Sequence, residues 1–265
     1  MASPFLNRDR RILALLVLCL WSISALPGAA QSQAANEKPH RVPVLVELFT
    51  SEGCSDCPPA DALLAELDAK QFVPGAEAIV LSEHVTYWDR LGWRDPFSLD
   101  AMTERQEAYV RSFALDSAYT PQAVVDGTSQ FVGSDGRALL AAVSKAAAKP
   151  KMSLAIENAS WDHGTIRFAV RGEKADGSRL VVVLASNATH SEVARGENAG
   201  RTLHHTAVVR AMKEMDGRAA DGRPLTLDAG NAQREGKTDG EMRLVVFATD
   251  SRTGRVIAAA EQMLH

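Results

Sequence analysis

The run VPVLVELFT, Val42 to Thr50, is apolar almost without alternation and rich in β-branched residues. That is the pattern of a strand buried on both faces. After the interruption SEGCSDC, the segment PPADALLAELDAKQF from Pro58 sets Ala62, Leu63, Ala65, Glu66 and Leu67 in helical spacing. Its prolines fall in the first turn, where a helix tolerates them. AIVLSEHV, Ala78 to Val85, is the next strand, so the unit reads as a βαβ crossover with SEGCSDC at the helix N-terminus. YWDRLGWRDPF reads as an aromatic, charged loop, and LDAMTERQEAYVRSFAL, Leu99 to Leu115, as a helix with Met102, Ala108, Tyr109 and Phe113 available for its buried face. QAVVD and SQFVG are short apolar runs joined by Asp126-Gly127, which suits a hairpin, and DGRALLAAVSKAAAK closes the series as an Ala-rich helix.

Beyond Pro150 the texture changes. MSLAIENASW, TIRFAVRG, RLVVVLASN, TLHHTAVVRAM, RPLTLDAG, MRLVVFATD and RVIAAAEQML are short apolar or alternating runs separated by Gly, Asp and Asn. Long helical periodicity is absent, so this half reads as an antiparallel β-sandwich of about seven strands. The fold class is therefore an α/β domain over residues 42–149 followed by an all-β, sandwich-like domain over 150–265, with the boundary at Lys149-Pro150.

The N-terminus changes the accounting. A basic start, MASPFLNRDRR, precedes an apolar core from Ile12 to Leu26 and small residues at Gly28 and Ala30, the order of a secretory signal peptide. The run breaks at Pro27-Gly28, short of the roughly 20 apolar residues a membrane span needs, and no later run is long enough to span. Residues 1–30 are expected to be removed, and 31–41 form a polar leader. The whole chain has 29 basic and 33 acidic residues; loss of Arg8, Arg10, Arg11 and Asp9 leaves 26 and 32, a net charge near −6. That balance disfavours nucleic acid as a partner. Cys19 leaves with the signal, so two of the three cysteines remain, both in one motif.

Cys54 and Cys57 close too short a loop to act as a scaffold. They belong to a chain expected in the periplasm or outside the cell, where disulfides persist. The thiolate is the nucleophile in disulfide exchange, and a helix N-terminus stabilises it. Cys54, on the loop side, is the expected attacking thiol and Cys57 the resolving one. Glu52, Asp56 and Asp61 disfavour a nearby thiolate, which points to the reducing end of the potential scale. Glu47 stands in an otherwise buried run; such a carboxyl can relay a proton to or from the resolving thiol, or it points outward or pairs with a base.

His84 ends the second strand on the side where the motif lies, and is read as a structural histidine, an orienting group or a ligand. Two thiolates and an imidazole suit Cu(I) or Zn(II), so Cys54, Cys57 and His84 form an alternative copper set, although no cofactor is favoured. Tyr87, Trp88, Trp93 and Phe97 either wall the site or anchor a loop. RGENAGRTLHH concentrates Arg195, Glu197, Asn198, Arg201, His204 and His205; adjacent strand residues point to opposite faces, so the two histidines do not chelate together, and the stretch reads as a structured loop docked on the first domain. Asn158 and Asn187 begin Asn-x-Ser/Thr triplets, and no Gly-rich phosphate loop occurs.

The strings ELFTSEGCSDCPPAD, HVTYWDRLGWRDPF, YTPQAVVDG and RGENAGRTLHHTAVVR are similar to those of an uncharacterised family of bacterial exported thioredoxin-like proteins, catalogued as a domain of unknown function. CxxC after the first strand and Thr-Pro before a hairpin resemble the thioredoxin superfamily more widely. The resemblance implies a thioredoxin-like fold for 42–149 and a cis peptide at Thr120-Pro121, with Thr120 and Pro121 shaping a substrate groove. It also implies thiol–disulfide exchange with protein or small-molecule thiols and an unknown redox partner. The motif departs from the superfamily's usual Trp-Cys-Gly-Pro-Cys: Gly53 precedes the first cysteine, Ser55-Asp56 lies between, and Pro58-Pro59 follows. The alternatives are a copper-binding or copper-delivery protein, whose exported thioredoxin-like representatives usually space the pair by three residues, and a noncatalytic binding module.

Overall fold

The computed structural model describes residues 41–162, 164–173, 177–230, 237–238 and 241–264. The expected signal peptide and nearly all of the leader lie outside the described residues. The elements are β1 (Val42–Thr50), α1 (Pro58–Lys70), β2 (Ala76–His84), α2 (Asp100–Ser112), β3 (Gln122–Val125), β4 (Ser129–Val132), α3 (Gly136–Ala147), β5 (Leu154–Asp162), β6 (Thr165–Gly172), β7 (Ser178–Glu192), β8 (Thr202–Asp216), β9 (Asp221–Asp228), β10 (Lys237–Thr238), β11 (Met242–Asp250) and β12 (Val256–Leu264).

β1 pairs in parallel with β2 and antiparallel with β3, which pairs with β4. This is the thioredoxin-like βαβ and hairpin arrangement. Val44, Val46 and Leu48 point to one face and pack with Ala60, Leu64 and Leu67 of α1 and Leu139 and Val143 of α3. Leu45 points to the other face, with Ile79, Leu81 and Met102 of α2. Both faces are covered, which explains the nearly unbroken apolar run of β1. α3 is capped by Asp135, whose carboxylate accepts from the N–H groups of Arg137 and Ala138.

The β-rich half forms a sandwich against this sheet without a break in it. The large sheet has the order β12-β11-β7-β8-β2-β1-β3-β4, with β10 pairing to β7, and β8 joins β2 in parallel at Ser82↔Val208. A small antiparallel sheet, β5-β6-β9, lays Ile166, Phe168 and Val170 on Leu180, Val182, Leu184, Leu244 and Val246 of the large one. The opposite face of those strands, with Val181, Val183, Val245 and Phe247, covers Leu45, Ile79 and Leu81. The sheet thus curls until its β-rich half lies over its α/β half. The change of texture at Lys149-Pro150 falls between α3 and β5, while residues 39–265 cluster as one compact unit.

β7 and β8 run further than the apolar pattern indicates. Thr189, His190 and Ser191 lie beyond the apolar run RLVVVLASN, yet they pair with His205, His204 and Leu203. This extension carries the far end of β7–β8 to the cysteine motif.

Candidate functional site

β1 ends at Thr50, and the loop Ser51–Asp56 leads directly into α1. Cys54 within it and Cys57 just after it form a disulfide with Cα atoms 5.4 Å apart. Cys57 is the N-cap of α1, with no side-chain cap, and the N–H groups of Ala60 and Asp61 both donate to its carbonyl. Pro58 and Pro59 have no N–H to offer. The helix therefore starts at the first proline, as its tolerance of proline at N1 allows, and presents few free donors to a sulfur.

The pair is covered: Cys54 is 1% exposed and Cys57 0%. Cover comes in part from the segment between β7 and β8. Asn198, itself buried, donates through Nδ2 to the carbonyls of Glu52 and Cys54, each at 2.9 Å. Glu197 Oε2 accepts from the Ser55 N–H at 3.0 Å, which holds its carboxyl below the ordinary range. Gly196, at φ +80°, lies against Gly92 and Trp93, where a Cβ would come within 3.2 Å of Trp93 Cβ. The expected docked loop is this contact.

Beneath the disulfide lies a buried network of acids and histidines. Glu52 accepts from Trp93 Nε1 at 2.7 Å and from Ser191 Oγ, and its backbone N–H donates to Asp95 Oδ2 at 2.8 Å. His205 Nε2 lies 3.3 Å from Glu52 Oε1, and its Nδ1 lies 3.6 Å from Asp61 Oδ2. The second distance is a charge contact rather than a hydrogen bond. Burial works against a charged His205, but Asp61 and Glu52 outweigh it and push its pKa up to about 10. His84 Nδ1 meets Asp95 Oδ2 at 2.7 Å. Burial would raise Asp95, but His84 and the N–H groups of Glu52 and Phe97 hold it below the usual carboxylate range. The His84 and His205 rings meet edge to face at 4.6 Å, with Phe97 against both.

Thr120-Pro121 is cis. Trp88 links this peptide to the motif: its Nε1 donates to Thr120 Oγ1 at 2.8 Å, while its Cβ sits 3.0 Å from where a side chain on Gly53 would begin. A Cβ at Gly133 would lie 3.2 Å from both Ala60 and Pro121, so Pro121 and the first turn of α1 share a neighbour. The aromatic loop therefore walls the site through Trp88, Trp93 and Phe97, and Tyr87 packs with Phe49, Val85 and Tyr109.

One sequence expectation needs correction. Glu47 is buried but faces the α2 side of β1, away from α1: its Oε1 accepts from Arg105 Nε at 2.5 Å and its Oε2 from Tyr109 OH at 2.6 Å. A period of two separates it from Leu48, which does face α1. A proton relay from Glu47 to Cys57 has no path in this arrangement. His84 reaches the site, yet its Nδ1 is committed to Asp95, and among the described residues no group of three or more His, Cys, Asp and Glu side chains is arranged to hold a metal ion.

The sequence reading missed Asp95, Ser191 and the inward role of His205. The alternation Leu203, His205, Ala207, all buried, with His204 exposed between them, carried that signal.

A family model described as a protein of unknown function (DUF1223) matches residues 45–249. A crystal structure of an Agrobacterium tumefaciens protein superposes with a TM-score of 0.59, at 24% identity, covering 84% of this chain and 94% of that one. This likeness concerns the fold. No curated protein matches significantly.

Proposed function

We propose that this chain, which belongs to the family of proteins of unknown function (DUF1223), is an exported thiol–disulfide oxidoreductase whose Cys54-Cys57 pair cycles between dithiol and disulfide. One observation carries the reading: the disulfide ties the loop after β1 to the N-cap of α1 in a thioredoxin-like unit. Export rests on the order of basic, apolar and small residues at the N-terminus. Substrates in this reading are protein or small-molecule thiols and disulfides, presented along Thr120-Pro121.

The first test is the reduction potential of the couple, measured by thiol trapping in glutathione or dithiothreitol buffers. Prolines at 58 and 59, and the engagement of the next two N–H groups by Cys57 O, withhold helix-end stabilisation from a thiolate. The couple is therefore expected near about −270 to −200 mV rather than about −120 mV. A bond that stays oxidised well below about −300 mV would make the pair a staple and end the reading. In the same protein, Cys57→Ser is expected to accumulate mixed disulfides through Cys54, seen as adducts on non-reducing gels.

Because both sulfurs are covered, exchange requires the segment 193–201 to yield. Asn198→Ala removes two hydrogen bonds that hold it, each worth about 0.5–1.5 kcal/mol. Reduction of the disulfide by dithiothreitol is expected to accelerate about tenfold; an unchanged rate would show that access does not run past Asn198.

A further inference from the structure

The exchange reading needs a group to take the proton of the resolving thiol, and Glu47 faces the wrong side of the sheet. We propose that Asp61 is that proton acceptor for Cys57, with His205 as the positioning residue that holds its carboxylate. The inference rests on the exchange reading and adds the residue that makes the second step work.

The placement follows from helix geometry. Cys57 has helical dihedrals, φ −78° and ψ −38°, and the Asp61 N–H donates to its carbonyl at 3.1 Å. Residues four apart lie on one face, with Cβ atoms about 5–6 Å apart. Helical side chains also lean toward the N-terminus and cover the preceding turn, which for Asp61 is the turn that begins with Cys57. Both residues are buried, Asp61 at 5% exposure and Cys57 at 0%. Of the two carboxylate oxygens, Oδ2 faces His205 Nδ1, while Oδ1 is buried without a hydrogen-bond partner. Burying that oxygen without a hydrogen bond costs stability, and a role in proton transfer accounts for its being kept.

Four segments supply the charged and titratable groups around Asp61. β8 supplies His205, β2 supplies His84, the loop after β1 supplies Glu52, and the loop after β2 supplies Asp95. Of these groups, His205 is charged in the fold and its ring faces Asp61 Oδ2 at 3.6 Å.

The chemistry balances with a disulfide as the co-reactant. In the reduced protein the Cys54 thiolate attacks one substrate sulfur; a bond forms from Cys54 to that sulfur, and the other half leaves as a thiolate that takes up a proton. Cys57 then attacks Cys54 Sγ as its S–H proton passes to Asp61. The Cys54-Cys57 bond forms, the second half of the substrate leaves as thiolate, and the proton on Asp61 follows it. The protein dithiol loses two electrons and the substrate disulfide gains them.

An aromatic disulfide, 5,5′-dithiobis(2-nitrobenzoate), separates the two steps, because each releases one coloured thiolate. With the reduced mature chain in stopped flow, the first phase reports Cys54 and the second Cys57; Cys57→Ser, lacking the second phase, assigns it. In the unmodified protein the second phase is expected to be nearly flat from about pH 5.5 to 7.5, as general-base transfer requires. A tenfold rise per pH unit would mean that Cys57 ionises unaided and would overturn the proposal without any variant. Asp61→Asn is expected to slow the second phase about 100-fold, within the range of general-base effects, to restore the steep pH dependence, and to leave the first phase within about twofold. Asp61→Glu should recover the flat profile, and His205→Gln, which loses the contact to Asp61 Oδ2, should slow the second phase and spare the first. If Asp61→Asn slows neither phase, or slows both alike, Asp61 is not the acceptor while exchange stands. If the unmodified protein releases no coloured thiolate, exchange itself fails and the proposal with it.

Discussion

Replacing Arg105 by methionine is expected to cost roughly 3–4 kcal/mol of unfolding free energy at neutral pH, and about 1 kcal/mol at pH 5. Glu47 and Glu83 are both fully buried, on the face of β1 and β2 covered by α2 and by Phe247 of β11. Arg105 Nε lies 2.5 Å from Glu47 and 3.7 Å from Glu83, with the guanidinium 5.3 Å from the ring centroids of Tyr109 and Phe247. Glu83, whose oxygens make no hydrogen bond, has its pKa raised by burial first and by the charge of Glu47 second. Arg105 is thus the counter-charge of the pair, and breaking such a buried pair by removing one partner costs about 3–5 kcal/mol. The remaining carboxylate can escape by binding a proton. Relative to an unfolded-state value near 4.3, neutralising it costs about 3–4 kcal/mol at pH 7 and about 1 kcal/mol at pH 5. Urea denaturation of Arg105→Met at the two pH values tests this. A loss that does not shrink on acidification would mean packing, not charge, dominates; adding Glu47→Gln to Arg105→Met should recover much of the neutral-pH loss.

Period and turn chemistry located the α/β half almost to the residue. β1 and the start of α1 were legible because an unbroken apolar run and a proline pair have few structural solutions. Glu47 shows where that reading stops: a strand buried on both faces gives no signal of which face meets α1, so the carboxyl fell on the opposite side from Cys57. The joining of β8 to β2 was equally hidden, since a parallel partner far along the chain leaves no local mark. The far end of β7 lies beyond the apolar run RLVVVLASN because Thr189, His190 and Ser191 lack apolar alternation; their partners are Glu52, His204 and His205 rather than a core. The site's acid–histidine network is built from four separate segments, and no spacing within any one of them announces it.

That network should leave a pH signature in stability. Buried His205 has an ordinary value of 6.5 and is raised to about 10 in the fold, so between those values the folded protein holds a proton that the unfolded chain has lost. Unfolding then releases a proton, and stability falls as pH rises. The contribution of His205 is complete below about pH 6.5, declines by about 1.4 kcal/mol per unit above it, and is gone above about pH 10. The integrated effect is on the order of 3–5 kcal/mol. Lys151 contributes with the opposite sign, since burial lowers its pKa against the pull of Asp126. The observable is therefore a difference: the stability of the unmodified protein minus that of His205→Gln, from urea denaturation of the disulfide form between pH 6 and 10. That difference should shrink steadily across the range. A constant difference would mean that His205 is neutral in the fold, and its contacts with Glu52 and Asp61 would then be those of an uncharged ring.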